Sequence, residues 1–263
     1  MLRPRIVPCL LVQGGGLVKT LQFRDPVYVG DPINAVRIFN EKEADELMVL
    51  DIDASRMARE PNFRLIAQFA AQCRMPLCYG GGVQSVAHAS KIVGLGVEKV
   101  AISSAALANP QLIRAIADEI GSQSVVIVLD VKADHNGRHE VCTLNATRAS
   151  GRTPVDCAKQ AEQLGAGEIV LNSVDRDGQM QGYDLALAQS VRAAVDLPMT
   201  MLGGAGSLAD LGALFGTVAG VGAAAGSLFV FKGPRRAVLI SYPDQARKKA
   251  IFRAAGGPGC KGA

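Results

Sequence analysis

The sequence has no apolar run of the roughly 18 residues that a membrane-crossing helix needs, and its N-terminus has no apolar leader core. It therefore reads as a cytoplasmic protein. Its six cysteines (Cys9, Cys73, Cys78, Cys142, Cys157, Cys260) form no CxxC pair and mostly sit in apolar runs, as buried or incidental thiols of a reducing compartment do. The three histidines (His88, His135, His139) show no ligand spacing, so neither a metal nor a cofactor is expected. His135 and His139 flank the turn "DHNGRHE" and read as a hairpin tip. A large excess of one charge is missing too. The net charge of +4 is small and dispersed, which argues against a nucleic-acid or membrane-surface partner, and "ARKKAIFR" (246–253) reads as a solvated helix face.

Hydrophobic residues at 49% and charged residues at 20% suit one large α/β domain. Continuously apolar, β-rich runs span 5–11, 46–53, 75–80, 98–103, 124–131, 168–174, 198–202 and 219–225. Helix-period segments separate them, at roughly 32–45, 61–73, 85–95, 109–120, 154–165, 184–194 and 207–216. Eight such strands predict a (β/α)8 barrel, with a doubly wound open sheet as runner-up. An internal repeat favours the barrel. "YGGGVQS" (79–85) recurs as "LGGAGSL" (202–208), about 123 residues later, and "VLDIDAS" (49–55) is echoed by "LNSVDRDG" (171–178). Two duplicated (βα)4 halves, not two linked domains, explain copies that follow one another without a linker. The expected organisation is one barrel over residues 1–241 and a frayed tail over 242–263. Two long connections, 12–31 and 132–153, are expected to be functional.

Each half ends two adjacent strands with residues that let backbone N–H groups approach an anion. These are Gly81, Gly82, Ser103 and Ser104 in the first half, and Gly203, Gly204, Gly226 and Ser227 in the second. The repeated pair predicts a small-molecule ligand with a phosphate at each end. Between the pairs stand Asp51, Asp53, Asp130, Asp175 and Asp177. Some of these can simply cap helices or pair with Lys132 and Arg176. Asp130 is the leading acid/base candidate because it ends a fully apolar strand, where burial raises a carboxyl pKa. Asp177 and Lys19 are further catalytic candidates, Lys19 from a mobile first loop that closes over an anion. At the opposite end, Arg5, Glu46, Lys99 and Glu168 each start a strand. Four charges of alternating sign there predict either a ring of salt bridges plugging the barrel or ordinary solvated strand ends.

The motifs "RIVPCL", "ADELMVLDIDAS", "GGG", "LNSVDRDGQMQGYDL" and "GGAG" resemble the cyclase subunit of imidazole glycerol phosphate synthase over residues 1 to about 232. The resemblance implies a barrel that receives ammonia from a glutaminase docked at its N-terminal face, with Arg5, Glu46, Lys99 and Glu168 as the gate. It implies a substrate with two phosphates and a catalytic pair of aspartates ending strands one and five. The second aspartate matches Asp130; the first matches Leu11, which can neither give nor take a proton. Glu98 stands where that family usually has aspartate. "PLCYGGG" and "AAAGSLFVFKG" resemble more closely a branch associated with glycosyl amidation in bacterial surface-polysaccharide (O-antigen) clusters, which acts with a separate sugar amidotransferase.

Three readings follow. The leading one is an ammonia-handling subunit for amidination of a nucleotide-linked sugar. The second is a working cyclase of histidine biosynthesis, and the third a non-catalytic barrel that senses phosphate ligands. Leu11 separates the second from the other two, and the gate charges separate the first from the third.

Overall fold

The computed structural model describes residues 4–256. Its centre is a closed barrel of eight parallel strands: β1 (Ile6–Gln13), β2 (Leu47–Asp51), β3 (Leu77–Gly80), β4 (Lys99–Ile102), β5 (Val125–Ala133), β6 (Glu168–Ser173), β7 (Met199–Leu202) and β8 (Val221–Ala225). Every neighbour pairs in parallel and β8 pairs back onto β1, so the barrel has no free edge. The outer helices are α1 (Pro32–Glu41), α2 (Phe63–Gln72), α3 (Val86–Gly94), α4 (Gln111–Ile120), α5 (Pro154–Gln163), α6 (Leu185–Arg192), α7 (Leu208–Thr217) and α8 (Gln245–Ala254). The fold is a (β/α)8 barrel.

The period of two along each strand explains why these runs are apolar throughout. Ile6, Leu10, Leu47, Val49, Leu77 and Ile127 face the helices, while Val7, Cys9, Met48, Cys78, Val126 and Val170 fill the barrel. Both faces are therefore buried. Following the inward alternation downward on β1, β2, β4 and β6 leads to Arg5, Glu46, Lys99 and Glu168, and following it upward leads to Leu11, Leu50, Ser103 and Asn172. One interior face thus connects floor and mouth.

The duplication extends to the helix caps. Asp31 and Thr153 each cap a helix that opens on proline. Asn62 and Asp184 cap α2 and α6, and Ser85 and Ser207 cap α3 and α7. In each case the side chain accepts the third N–H of the helix, satisfying a donor that the helix cannot.

The long connections and the C-terminal stretch refine the sequence expectations. The connection 12–31 is a two-stranded arm (Gly16–Leu21 and Arg24–Gly30) that folds back antiparallel on β1, Leu11 opposite Val18. Expected as a mobile loop, it is instead tied into the sheet. The connection 132–153 prolongs β5 into an antiparallel pairing with His139–Thr143, with His135 in the turn between them. The stretch after 241, expected to be frayed, is ordered through residue 256. α8 packs on α7, with the Phe215 and Phe252 rings edge-on at 5.3 Å. Nor is "ARKKAIFR" wholly solvated, because Lys248 is only 3% exposed. Residues 257–263, including Cys260, lie outside the described residues. Glu98 also has a structural task, accepting the Leu77 N–H at 2.7 Å where β3 begins. Among the described residues no helix is long and apolar enough to cross a membrane.

Candidate active site

The C-terminal ends of the strands open into a cavity of about 1070 Å³, counted with its open mouth. Asp130 ends the inward face of β5 there. Burial pushes its pKa up to about 7, against a hydrogen bond from Asn172 Nδ2 at 2.9 Å and with a further upward push from Asp177. Asn172 lies directly beside Asp130 in the β5–β6 register, so the sheet supplies the partner that orients the carboxylate. Ser103 lines the same cavity; its buried Oγ makes no well-formed hydrogen bond among the described residues, but it lies close enough to the Asp130 carboxyl to work against that rise. Across the mouth, Leu11 and Leu50 continue the apolar interior upward.

Lys19 sits on the inner strand of the first arm and is 5% exposed. Its Nζ donates to the Cys9 carbonyl at 2.7 Å, and burial holds its pKa below the ordinary lysine value. Among the described residues no carboxylate lies within salt-bridge distance of it. A Cβ added to Gly226 would come within van der Waals overlap of this ammonium, so the glycine leaves the space the lysine fills. Asp177, also in the cavity wall, is raised by burial, while bonds from Thr20 Oγ1 (2.6 Å) and the Phe23 N–H (3.2 Å) work against the rise. Thr20 and Phe23 come from the arm, so Asp177 also fastens the arm over the mouth.

The run "DRDGQMQGYD" is a set of such fastenings. Asp175 accepts the Ala133 N–H at 2.7 Å, Arg176 reaches the Gly182 carbonyl at 3.1 Å, and the Tyr183 hydroxyl donates to the Ala224 carbonyl at 2.9 Å. Asp184 caps α6 and meets His139 Nε2 at 3.2 Å. Gly178 has φ +69°, and a Cβ there would clash with the Thr20 carbonyl. Gly178→Val should therefore unseat the arm, costing about 1–3 kcal/mol of stability and exposing Lys19. Thermal unfolding together with proteolysis within 14–30 would register it.

Of the predicted anion residues, Gly81, Gly82, Ser103, Ser104, Gly226 and Ser227 line this one cavity. Gly203 and Gly204 do not. They are buried behind the loop after β6, where the Gly204 carbonyl accepts the Gly182 N–H at 2.8 Å. Gly81 and Gly82 have φ of +121° and +73°, and a Cβ at Gly81 would meet the Asp51 carbonyl at 2.5 Å. Of the remaining carboxylates, Asp51 also lines the cavity and is raised by burial. Asp51 accepts the N–H groups of Asp53 and Ala54, and Asp53 holds Gln13 and Arg56.

At the opposite end the four strand-start charges form a closed ring. Arg5 contacts Glu46 at 2.5 Å and Glu168 at 2.8 Å, and Lys99 contacts each of the same two glutamates at 2.8 Å. Burial works to raise the Glu168 carboxyl, but Arg5 and Lys99 outweigh it and hold it below the ordinary range. Burial works to lower Lys99, but the two glutamates outweigh it and raise it. Thr200, which the sequence did not single out, joins the ring by donating to Glu168 Oε1 at 2.6 Å. Its position inside a short apolar strand on the inward face was the available signal.

Comparison with known proteins agrees with this geometry. Residues 5–234 match the family model described as "Histidine biosynthesis protein". A protein of Leptospira interrogans named "Putative imidazole glycerol phosphate synthase subunit HisF" is 54% identical, over 96% of this chain and 100% of its own length. The "Putative imidazole glycerol phosphate synthase subunit hisF2" of Pseudomonas aeruginosa is 56% identical, over 93% of this chain and 97% of its own. The "Imidazole glycerol phosphate synthase subunit HisF" of Streptococcus sanguinis is 39% identical, over 87% and 91% respectively. The chain belongs to the histidine biosynthesis protein family, among the HisF-type cyclase subunits of imidazole glycerol phosphate synthase.

Proposed function

We propose that this chain is the ammonia-using barrel subunit of an imidazole glycerol phosphate synthase-type complex, fed from its N-terminal face by a glutaminase. The observation that carries the reading is the alignment of the ion ring at the floor with Asp130 at the mouth, joined by one apolar interior. Neutral ammonia can cross such an interior, whereas ammonium would have to shed its hydration without a partner. Asp130, held near pH 7 by burial, has both protonation states populated at neutral pH and can take a proton from the attacking nitrogen. One phosphate of the substrate would rest on Gly81, Gly82, Ser103 and Ser104, and the other on Gly226 and Ser227 beside the Lys19 ammonium. Gly203 and Gly204 would shape the second cradle from behind. Asp177 would keep the arm, and Lys19 with it, over the ligand.

Leu11 favours a second reading. Cyclisation to imidazole glycerol phosphate uses two carboxylates in the family, and here the position across from Asp130 is leucine. A barrel that delivers ammonia to a different acceptor, as in amidination of a nucleotide-linked sugar by a separate amidotransferase, has no need of the second carboxylate.

Ammonia-dependent turnover of the doubly phosphorylated substrate, for the wild type and Leu11→Asp, separates the two. Turnover by the wild type supports cyclisation with Asp130 alone. Turnover in Leu11→Asp only means that the barrel binds the substrate and admits ammonia but has another acceptor. No turnover in either would overturn the assignment of the substrate.

A further inference from the structure

The lowest part of the barrel contains a joint that the strand ladder does not make. Backbone register between β1 and β2 begins only at Cys9 opposite Met48, so the residues below, Arg5 to Pro8 and Asp45 to Leu47, are not laddered to each other. Arg5 and Glu46 nevertheless meet across this gap in the ion ring. Their chain neighbours close it. The Tyr242 hydroxyl donates to the Ile6 carbonyl at 2.8 Å and accepts the Asp45 N–H at 3.0 Å. The Asp45 carboxylate accepts the Ile6 N–H at 3.0 Å through one oxygen and Lys248 Nζ at 2.6 Å through the other. Both backbone polar groups of Ile6 are thus held, directly or through Asp45, by the segment that enters α8.

The local sequence makes this possible. In "SYPDQARKK", Pro243 is buried, and Asp244 caps α8 by accepting the Arg247 N–H at 2.8 Å. The helix therefore starts at a fixed point, with Tyr242 just before it and Lys248 one turn inside it. The Tyr242 ring is packed against Phe39 and Phe229, with centroids at 6.5 and 5.5 Å. Lys248 is buried, and Asp45 is the carboxylate within salt-bridge distance of it among the described residues. A buried ammonium that makes one carboxylate contact is costly to keep for packing alone. It is placed where it pins the residue next to Glu46.

We propose that Tyr242 and Lys248 are positioning residues for the ion ring. They bridge the unladdered ends of β1 and β2 and thereby fix the span between Arg5 and Glu46, so the C-terminal helix sets how tightly the barrel floor is closed. This claim about the ring stands apart from the proposed function. Only its consequence for ammonia entry rests on that reading, and a chain with no turnover at all would leave the test below intact.

The barrel carries its own reporter. Cys78 is fully buried in the interior, its Cα opposite that of Lys99 in the β3–β4 register, so its thiol lies beside the ring and feels Glu46, Glu168 and Lys99. Cys157 is buried outside the barrel on α5 and reports general loosening. The experiment treats full-length Tyr242→Phe, Lys248→Met and wild-type protein with methyl methanethiosulfonate under native conditions and reads each cysteine by peptide mass. Labelling of Cys78 relative to Cys157 should rise about tenfold or more in both variants, a local opening without global unfolding. An unchanged ratio in both, or a rise of all buried thiols together, would overturn the proposal and leave Tyr242 and Lys248 as packing residues.

Discussion

Asp130→Asn should lose turnover by about 10²- to 10⁴-fold while melting higher than the wild type at pH 8. The loss follows from the role assigned to Asp130, a cavity carboxyl that burial holds near neutrality. The gain follows from linkage. A carboxyl raised from 3.8 to about 7 on folding binds more protons in the native than in the unfolded state over that interval. Its contribution to stability is therefore at its best below pH 4, falls as pH rises through 4 to 7, and stays low above that. At about 1.4 kcal/mol per pKa unit, the burden of the ionised group at pH 8 is on the order of 2–4 kcal/mol. The amide removes it and keeps the bond to Asn172. Melting curves at pH 4 and pH 8 should show the variant above the wild type only at the higher pH. A variant no more stable at pH 8 would mean that Asp130 is not held at a cost in the folded protein.

Glu168→Ala should be the most destabilising single change in the barrel floor, by about 3–5 kcal/mol. Glu168 is contacted by Arg5, Lys99 and Thr200, and its side chain is 6% exposed. Without it two cations share Glu46 inside an apolar cylinder. Replacing all four ring charges with apolar residues of similar volume should be far milder, within about 1–2 kcal/mol of the wild type, because the desolvation cost vanishes with the charges. Urea titration of the two variants checks the contrast. If the quadruple variant were as unstable as Glu168→Ala, the ring would exist for stability. If it folds well, the ring is retained for what it does at the barrel entrance.

The legibility of this protein divides along physical lines. The barrel strands were readable because both of their faces are buried and the runs are continuously apolar. The glycines and serines that line the cavity were readable because duplication repeats them. The ring was readable because strand starts on an inward face are geometrically equivalent. The arm over the mouth was readable only in part: Lys19 was expected to close over a ligand from a mobile loop, but nothing local reveals that the loop is a strand pair or that Lys19 turns inward to the Cys9 carbonyl. The C-terminal helix was misread for the same reason. Lys248 looks like its neighbours Arg247 and Lys249, and its burial depends on Asp45, about two hundred residues away. Gly203 and Gly204 show what the repeat argument leaves open. The motif recurs, and a loop packs on each copy, but only Gly81 and Gly82 are part of the cavity wall.

The most direct test of the account is the route taken by the nitrogen. A complex of this chain with the glutaminase proposed to feed it would be given glutamine labelled with ¹⁵N at the amide in a large excess of unlabelled ammonium, and the product nitrogen read by mass spectrometry. Passage through the ring and the barrel predicts that the product keeps the glutamine label, and that the apolar-ring variant loses it to the bulk pool. Product nitrogen at the isotope ratio of bulk ammonium in the wild type would contradict the account, because ammonia would then be reaching Asp130 through the open mouth.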